Sequence, residues 1–162
     1  MSENSKIKDG VFFDETGTVL IKYPEDLKAE EYVLPPEVVE IKGSAFWGHR
    51  YIKRVICNEG LKSIGDNAFG YSTISSIVLP STLERIEDCA FKETMIRELF
   101  IPSVPKELGS NILKRDKFCT HPPKIKIVLG GLPEDWRLFD GYFSNPYNDF
   151  IVEYTAYDSS VE

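Results

Sequence analysis

Near neutral pH, histidine and cysteine are the side chains best suited to act as nucleophile, base or metal ligand. This chain holds two of the first and three of the second. His49 lies in "WGHR" and His121 precedes Pro122-Pro123. Neither stands beside a serine or cysteine in a nucleophile motif, so both are expected to be surface or loop-packing residues. Cys57, Cys89 and Cys119 are odd in number and lack C-x-x-C spacing, which fits neither a disulfide framework nor a zinc site. Reduced core thiols are expected, with Cys119 the most open to reaction. Gly130-Gly131 lacks the Lys-Ser/Thr of a phosphate loop. The acidic pairs Glu25-Asp26, Glu87-Asp88 and Glu134-Asp135 read as solvated turns and helix starts. No catalytic residue, metal ligand or cofactor is therefore assigned.

What positions these residues is a period. Ala45-Phe46, Ala68-Phe69 and Ala90-Phe91 recur at separations of 23 and 22 residues, and the same apolar grid precedes each pair. It runs Tyr32, Leu34, Val38, Ile41, then Val55, Cys57, Leu61, Ile64, then Ile77, Leu79, Leu83, Ile86. Pro35, Pro80 and Pro102 follow the short β-branched segment, with Asn58 in that place once. A further copy, Leu99, Ile101, Leu108 and Ile112-Leu113, keeps the grid but loses Ala-Phe. Each unit thus opens as a short period-2 strand and stops at a residue that cannot donate a ladder bond. Its second half, "LERIEDCAF" or "LKSIGDNAF", has the three- and four-residue spacing of one α- or 3₁₀-helical turn. One copy buries too little to fold alone, so the units must stack into a solenoid.

With its 22–23-residue unit L/I-x-x-I-x-L-P-x-x-L-x-x-I-x-x-x-A-F, the chain resembles the BspA-type leucine-rich repeat, common in bacterial proteins. "DGVFFDETGTVLIKYPEDLKAEEYVLP" is similar to the strand-turn-strand unit that precedes the first coil in such proteins. The likeness covers roughly residues 9 to 113 and leaves 114–162 unmatched. It implies an α/β repeat solenoid: a right-handed leucine-rich-repeat superhelix, mostly β with short 3₁₀/α turns and a short parallel sheet on one face. One domain spans 1–162, with a hairpin cap over 9–31, about four repeats over 32–113, and a fifth strand and irregular cap over 114–162. In the cap, "KIKIVL" reads as a strand, "LPEDWRLFDGYF" as a short helix and "NDFIVEYTAY" as a last strand.

Composition narrows the partners. A net charge of -7 and the absence of a Lys/Arg-rich run remove the electrostatic footprint that nucleic acid requires. No apolar stretch reaches membrane-span length, so membrane insertion is not expected. "MSENSKIKDG" lacks a signal-peptide core and cleavage site, which favours the cytoplasm, although the resemblance implies relatives that are often secreted or at the cell surface. Strand residues that alternate with the core grid must face outward. They are Glu31 and Val33, Arg54 and Ile56, Ser76 and Val78, Glu98 and Phe100, then Lys124 and Lys126, forming a ribbon with an apolar column. The expected function is non-catalytic protein or peptide binding through Val33, Arg54, Ile56, Ser76, Val78, Glu98, Phe100 and Lys126. A homo-oligomer pairing through the same ribbon is the alternative, and a small hydrolase housed in 114–162 a remote one. A third expectation competes with both: the C-terminal aromatics Trp136, Phe139, Tyr142 and Phe143 fold back and cover the ribbon.

Overall fold

A computed structural model of the chain describes residues 5–115, 124–140, 142–143 and 150–155. Its spine is a column of rings. Tyr23, Phe46, Phe69 and Phe91 stack with centroids 4.8, 4.7 and 5.5 Å apart and planes within 20° of parallel. The backbone around them forms a ladder of its own. Tyr23 N–H donates to Ala45 O at 2.9 Å, Phe46 to Ala68 at 2.7 Å, Phe69 to Ala90 at 2.8 Å and Phe91 to Ile112 at 2.7 Å. Tyr23, in the N-terminal cap, thus stands in for a missing phenylalanine, and the copy without Ala-Phe still accepts through Ile112.

The corner is shaped by backbone that most residues avoid. Two positions before the ring, Ser44, Asn67 and Cys89 have φ of 60°, 52° and 57°. Two positions after it, Gly48, Tyr71 and Glu93 have φ of 69°, 58° and 52°. The second set is tied coil to coil, with Gly48 N–H to Gly70 O, Tyr71 to Lys92 O and Glu93 to Lys114 O. Left-handed backbone costs a non-glycine residue about 1–2 kcal/mol, so the inter-coil bonds and ring stack must outweigh it. Three residues past the ring a polar group is buried at every corner. Ser72 Oγ and Thr94 Oγ1 donate back to Phe69 O and Phe91 O at 2.6 and 3.0 Å, and His49 holds the third place.

Three sheets hang on this spine, one seven-stranded and two three-stranded. β1 (Lys6–Lys8), β2 (Val11–Phe13) and β3 (Val19–Lys22) are antiparallel, and Asp14 closes the β2–β3 turn with its carboxylate on Val19 N–H at 2.9 Å. β3 then pairs in parallel with β5 (Glu40–Ile41), which leads through β7 (Ser63–Ile64) and β9 (Arg85–Ile86) to β11 (Glu107–Leu108). These two-residue strands occupy the segments whose spacing suggested a helical turn. A Leu-x-x-Ile step fits either state, and inter-coil pairing decides for strand because each backbone already has a partner one coil away. Close approach is tight here: a Cβ on Gly65 would lie 2.4 Å from Gly43 N.

The other side is the one the short β-branched segments build. β4 (Glu31–Val33), β6 (Arg54–Ile56) and β8 (Ser76–Val78) pair in parallel and in register, Val33 on Ile56 on Val78. β10 (Glu98–Ile101), β12 (Ile125–Gly130) and β13 (Phe150–Thr155) form a separate parallel sheet, so the ladder is interrupted between β8 and β10. The seven-stranded sheet runs unbroken past this seam, where Phe91 meets the next coil through Ile112 and, among the described residues, no ring follows it. The architecture is a β-solenoid of about 5 turns with parallel sheets. Where Asn58 replaces proline, its side-chain amide crosses to the previous coil, donating to Pro36 O and Val38 O at 3.1 and 3.0 Å.

At the C-terminal end, a 3₁₀ helix (Pro133–Phe139) follows Gly131, whose φ of 97° turns the chain off β12. It buries Trp136 and Phe139, and Trp136 Nε1 donates to Gly130 O at 2.9 Å. The aromatics therefore plug the solenoid's open end under β12 and β13, beside Leu129 and Val152.

Removing one ring of the spine leaves a void flanked by rings on both sides. Phe69→Ala is expected to cost about 3–5 kcal/mol, whereas Leu138→Ala, on a side chain 85% exposed, should change stability by less than about 0.5 kcal/mol. Urea unfolding curves of both variants measure the contrast. Cys89→Asn, which places an αL-tolerant side chain at φ 57°, should stabilise by about 1 kcal/mol and raise the melting temperature.

Candidate interaction surface

Among the described residues, histidine and cysteine are taken up by packing. Cys57 is buried in the core and its thiol is pushed up to about 12 by burial, so it holds no thiolate near neutral pH. Cys89 is half-buried at its corner, and burial also raises its pKa. Cys119 and His121 fall outside the described residues.

His49 is fully buried rather than a surface side chain. Its Nδ1 accepts from Tyr51 N–H and Ile52 N–H at 3.3 and 3.1 Å, which leaves Nε2–H to donate to Pro24 O at 3.1 Å. That pattern requires the neutral ring. Tyr23 packs edge-on at 5.0 Å and Tyr51 at 6.2 Å, and burial lowers the pKa while the field of Glu25 opposes the shift and that of Lys22 adds to it. His49 therefore ties the loop after β3 to the first full coil.

The two sides present different outer faces. On the seven-stranded sheet, charges pair across coils: Lys62 and Lys106 both meet Glu84, at 3.0 and 2.6 Å, and Arg85 meets Glu107 at 2.8 Å. The opposite face carries an apolar column. Val33, Val78 and Phe100 are 60%, 43% and 45% exposed, and Ile56 is half-buried between two of them. The flanking column is polar and mostly charged, with Arg54 on Glu31 at 3.5 Å and Ser76 and Glu98 following.

The fifth rung is displaced by two residues from its expected register. Lys126 lies beside Glu98, not beside Phe100, and Val128 continues the apolar column next to Phe100. Lys124 precedes the strand and is exposed. Because the chain between the fourth coil and β12 does not follow the repeat, its period could not supply the register. On the sixth rung the columns exchange character: Ile151 neighbours Lys126, and Glu153 neighbours Val128 while its carboxylate binds Lys126 Nζ at 2.8 Å. Nor do the C-terminal aromatics cover Val33, Val78 or Phe100, since Trp136 and Phe139 lie in the end plug.

A second exposed strip escaped the sequence reading. Trp47, Tyr51, Tyr71 and Met95 are each more than 40% exposed along the corner after the Ala-Phe pair. Trp47 and Tyr71 meet edge-on at 6.0 Å, and Lys92 Nζ sits 5.0 Å from the Tyr71 ring. The signal was available, because each follows Ala-Phe within a few residues and lies off the core grid.

Residues 23–120 match the family model described as "BspA type Leucine rich repeat region", in 6 copies. The chain belongs to the BspA-type leucine-rich-repeat family. Solved structures agree on the fold. The pneumococcal vaccine antigen PcpA is 26% identical with a TM-score of 0.65, covering 93% of this chain and 48% of its own. A leucine-rich cell surface protein from Faecalibacterium prausnitzii is 21% identical with a TM-score of 0.70, covering 98% of this chain and 41% of its own. The T. pallidum leucine-rich-repeat protein is 21% identical with a TM-score of 0.52, covering 80% of this chain and 79% of its own. This BspA-type chain thus spans less than half the length of the first two. Among curated proteins none matches it. The family is typically non-enzymatic and suggests a protein-interaction or surface repeat module. Among the described residues no helix is long and apolar enough to cross a membrane.

His49 gives this BspA-type fold a pH dependence whose sign is fixed. Its native pKa lies below the ordinary 6.5, so its contribution is complete above 6.5 and is lost as pH falls through the lowered native value. His49→Gln should cost about 1–3 kcal/mol at pH 7.5 by stranding buried backbone partners. That cost should shrink as pH drops below 6.5 in paired urea titrations; a difference that stays constant down to pH 5 contradicts the neutral-ring assignment.

Proposed function

We propose that this chain is a non-catalytic interaction module that binds a protein or peptide through the outward face of β4, β6, β8, β10 and β12. The observation that carries this reading is a pair of in-register apolar runs, Val33 to Ile56 to Val78 and Phe100 to Val128, one on each side of the seam. A solvated sheet face is ordinarily lined as the opposite one is, with charges that pair coil to coil. Apolar side chains held on rigid strands beside a charged column give the core-and-rim pattern of protein interfaces. Arg54, Ser76, Glu98 and Lys126 would form the rim, setting orientation more than affinity. Phe100, the one aromatic in the column, is the residue expected to contribute most.

Phe100→Asp tests this directly. Surface placement predicts a melting temperature within a few degrees of wild type. A partner captured by the immobilised wild-type chain should be lost or bound at least tenfold more weakly, equivalent to about 1.4 kcal/mol or more. Equal capture by both proteins overturns the reading. In light scattering, a wild-type dimer dispersed by the same substitution would identify the partner as a second copy, the alternative reading of this face.

A further inference from the structure

The N-terminal cap does more than cover the first coil. Where β2 meets β3 the register slips, Phe12 pairing with Lys22 and Phe13 with Leu20, so Ile21 is an extra residue in a β-bulge. Phe13 and Leu20 point into the core, and the bulge leaves Ile21 and Lys22 facing outward together, opposite Phe12. With Pro24 they floor an open cavity of about 650 Å³. This lies within the usual range of about 300–1,000 Å³ for small-ligand sites.

Its rim is charged on two sides. Lys22 comes from β3, and Lys42 follows β5 with its N–H bonded to Leu20 O at 2.9 Å, which fixes it next to the bulge. Glu25 and Asp26 come from the loop after β3. That loop is pinned twice, by Leu27 N–H on Pro24 O at 3.3 Å and by His49 Nε2–H on the same oxygen at 3.1 Å. Two lysines on the sheet side, one of them donating from Lys22 Nζ to Ser44 O at 3.5 Å, and two acidic residues on the loop side thus flank an apolar floor.

We infer that this cavity binds a small zwitterion with an apolar body: an apolar amino acid or short free peptide. Its carboxylate lies toward Lys22 and Lys42, its ammonium toward Glu25 and Asp26, and its side chains on Phe12, Ile21 and Pro24. A fatty acid would use the floor and the lysines but leave two carboxylates facing its tail. A sugar would leave the floor unmatched. The inference is independent of the function proposed for the opposite sheet.

Isothermal titration with free Leu-Leu, with its N-acetyl amide and with a medium-chain fatty acid tests it on the full chain. Saturable binding of the free dipeptide is expected, at least tenfold tighter than the blocked one and tighter than the fatty acid. Ile21→Asp should abolish that heat. Lys42→Gln, on an exposed side chain whose loss leaves the core untouched, should weaken it several-fold with unchanged melting temperature. Phe100→Asp should leave it unchanged. No saturable heat, equal affinity for the blocked dipeptide, preference for the fatty acid, or binding indifferent to both cavity substitutions overturns the assignment.

Discussion

Everything in this solenoid rests on one corner, where a ring lies on the ring below and its own amide bonds to the next coil. The corner solves two problems at once. Each coil is too small to fold alone, and each must be locked in register with its neighbours, since strands of two to four residues carry little register information of their own. Stacked rings at 4.7–5.5 Å supply burial, and the Phe-to-Ala amide ladder supplies alignment. Left-handed backbone on either side is the cost, offset because the same residues bond across coils.

Once the corner fixes the coils, the two sides diverge by side chain alone. Within the coils the strands on both sides are parallel and bury one face on the same core, so backbone geometry does not tell the two faces apart. Cross-coil ion pairs neutralise one outer face, while the other repeats valine, isoleucine or phenylalanine at a single position. Exposed ion pairs of this kind contribute roughly 0–1 kcal/mol each. Their consequence is therefore less stability than solubility: they keep that face in water and leave the other as the surface with something to gain from contact.

Periodicity in the sequence was enough to read the family, the core grid, the Ala-Phe corner and the in-register strands β4, β6 and β8, because a buried position repeated every 22 or 23 residues leaves few alternatives. It was not enough for features that depend on a single copy. Leu83 and Ile86 suit a helix as well as a strand, and only the neighbouring coil decides. Lys126 and Val128 took their register from a connection that does not repeat. His49 occupies the place that serine and threonine hold at the next corners, so its burial was coded in the period but masked by its change of type. The bulge at Ile21 has no sequence mark, and with it went the cavity in the cap.

The seam between β8 and β10 has a mechanical meaning. In a linear array each coil is coupled only to its neighbours, so the strength of that coupling sets how far a local opening travels. At the β4–β6 and β6–β8 junctions two ladders and a ring contact must yield together. At this one a ladder is already interrupted and, among the described residues, Phe91 has no ring above it, only the Ile112 corner of the next coil. The molecule is thus a chain of cooperative blocks with a weak joint under Val78 and Phe100, where the outward face can yield before the coils on either side lose their own cohesion.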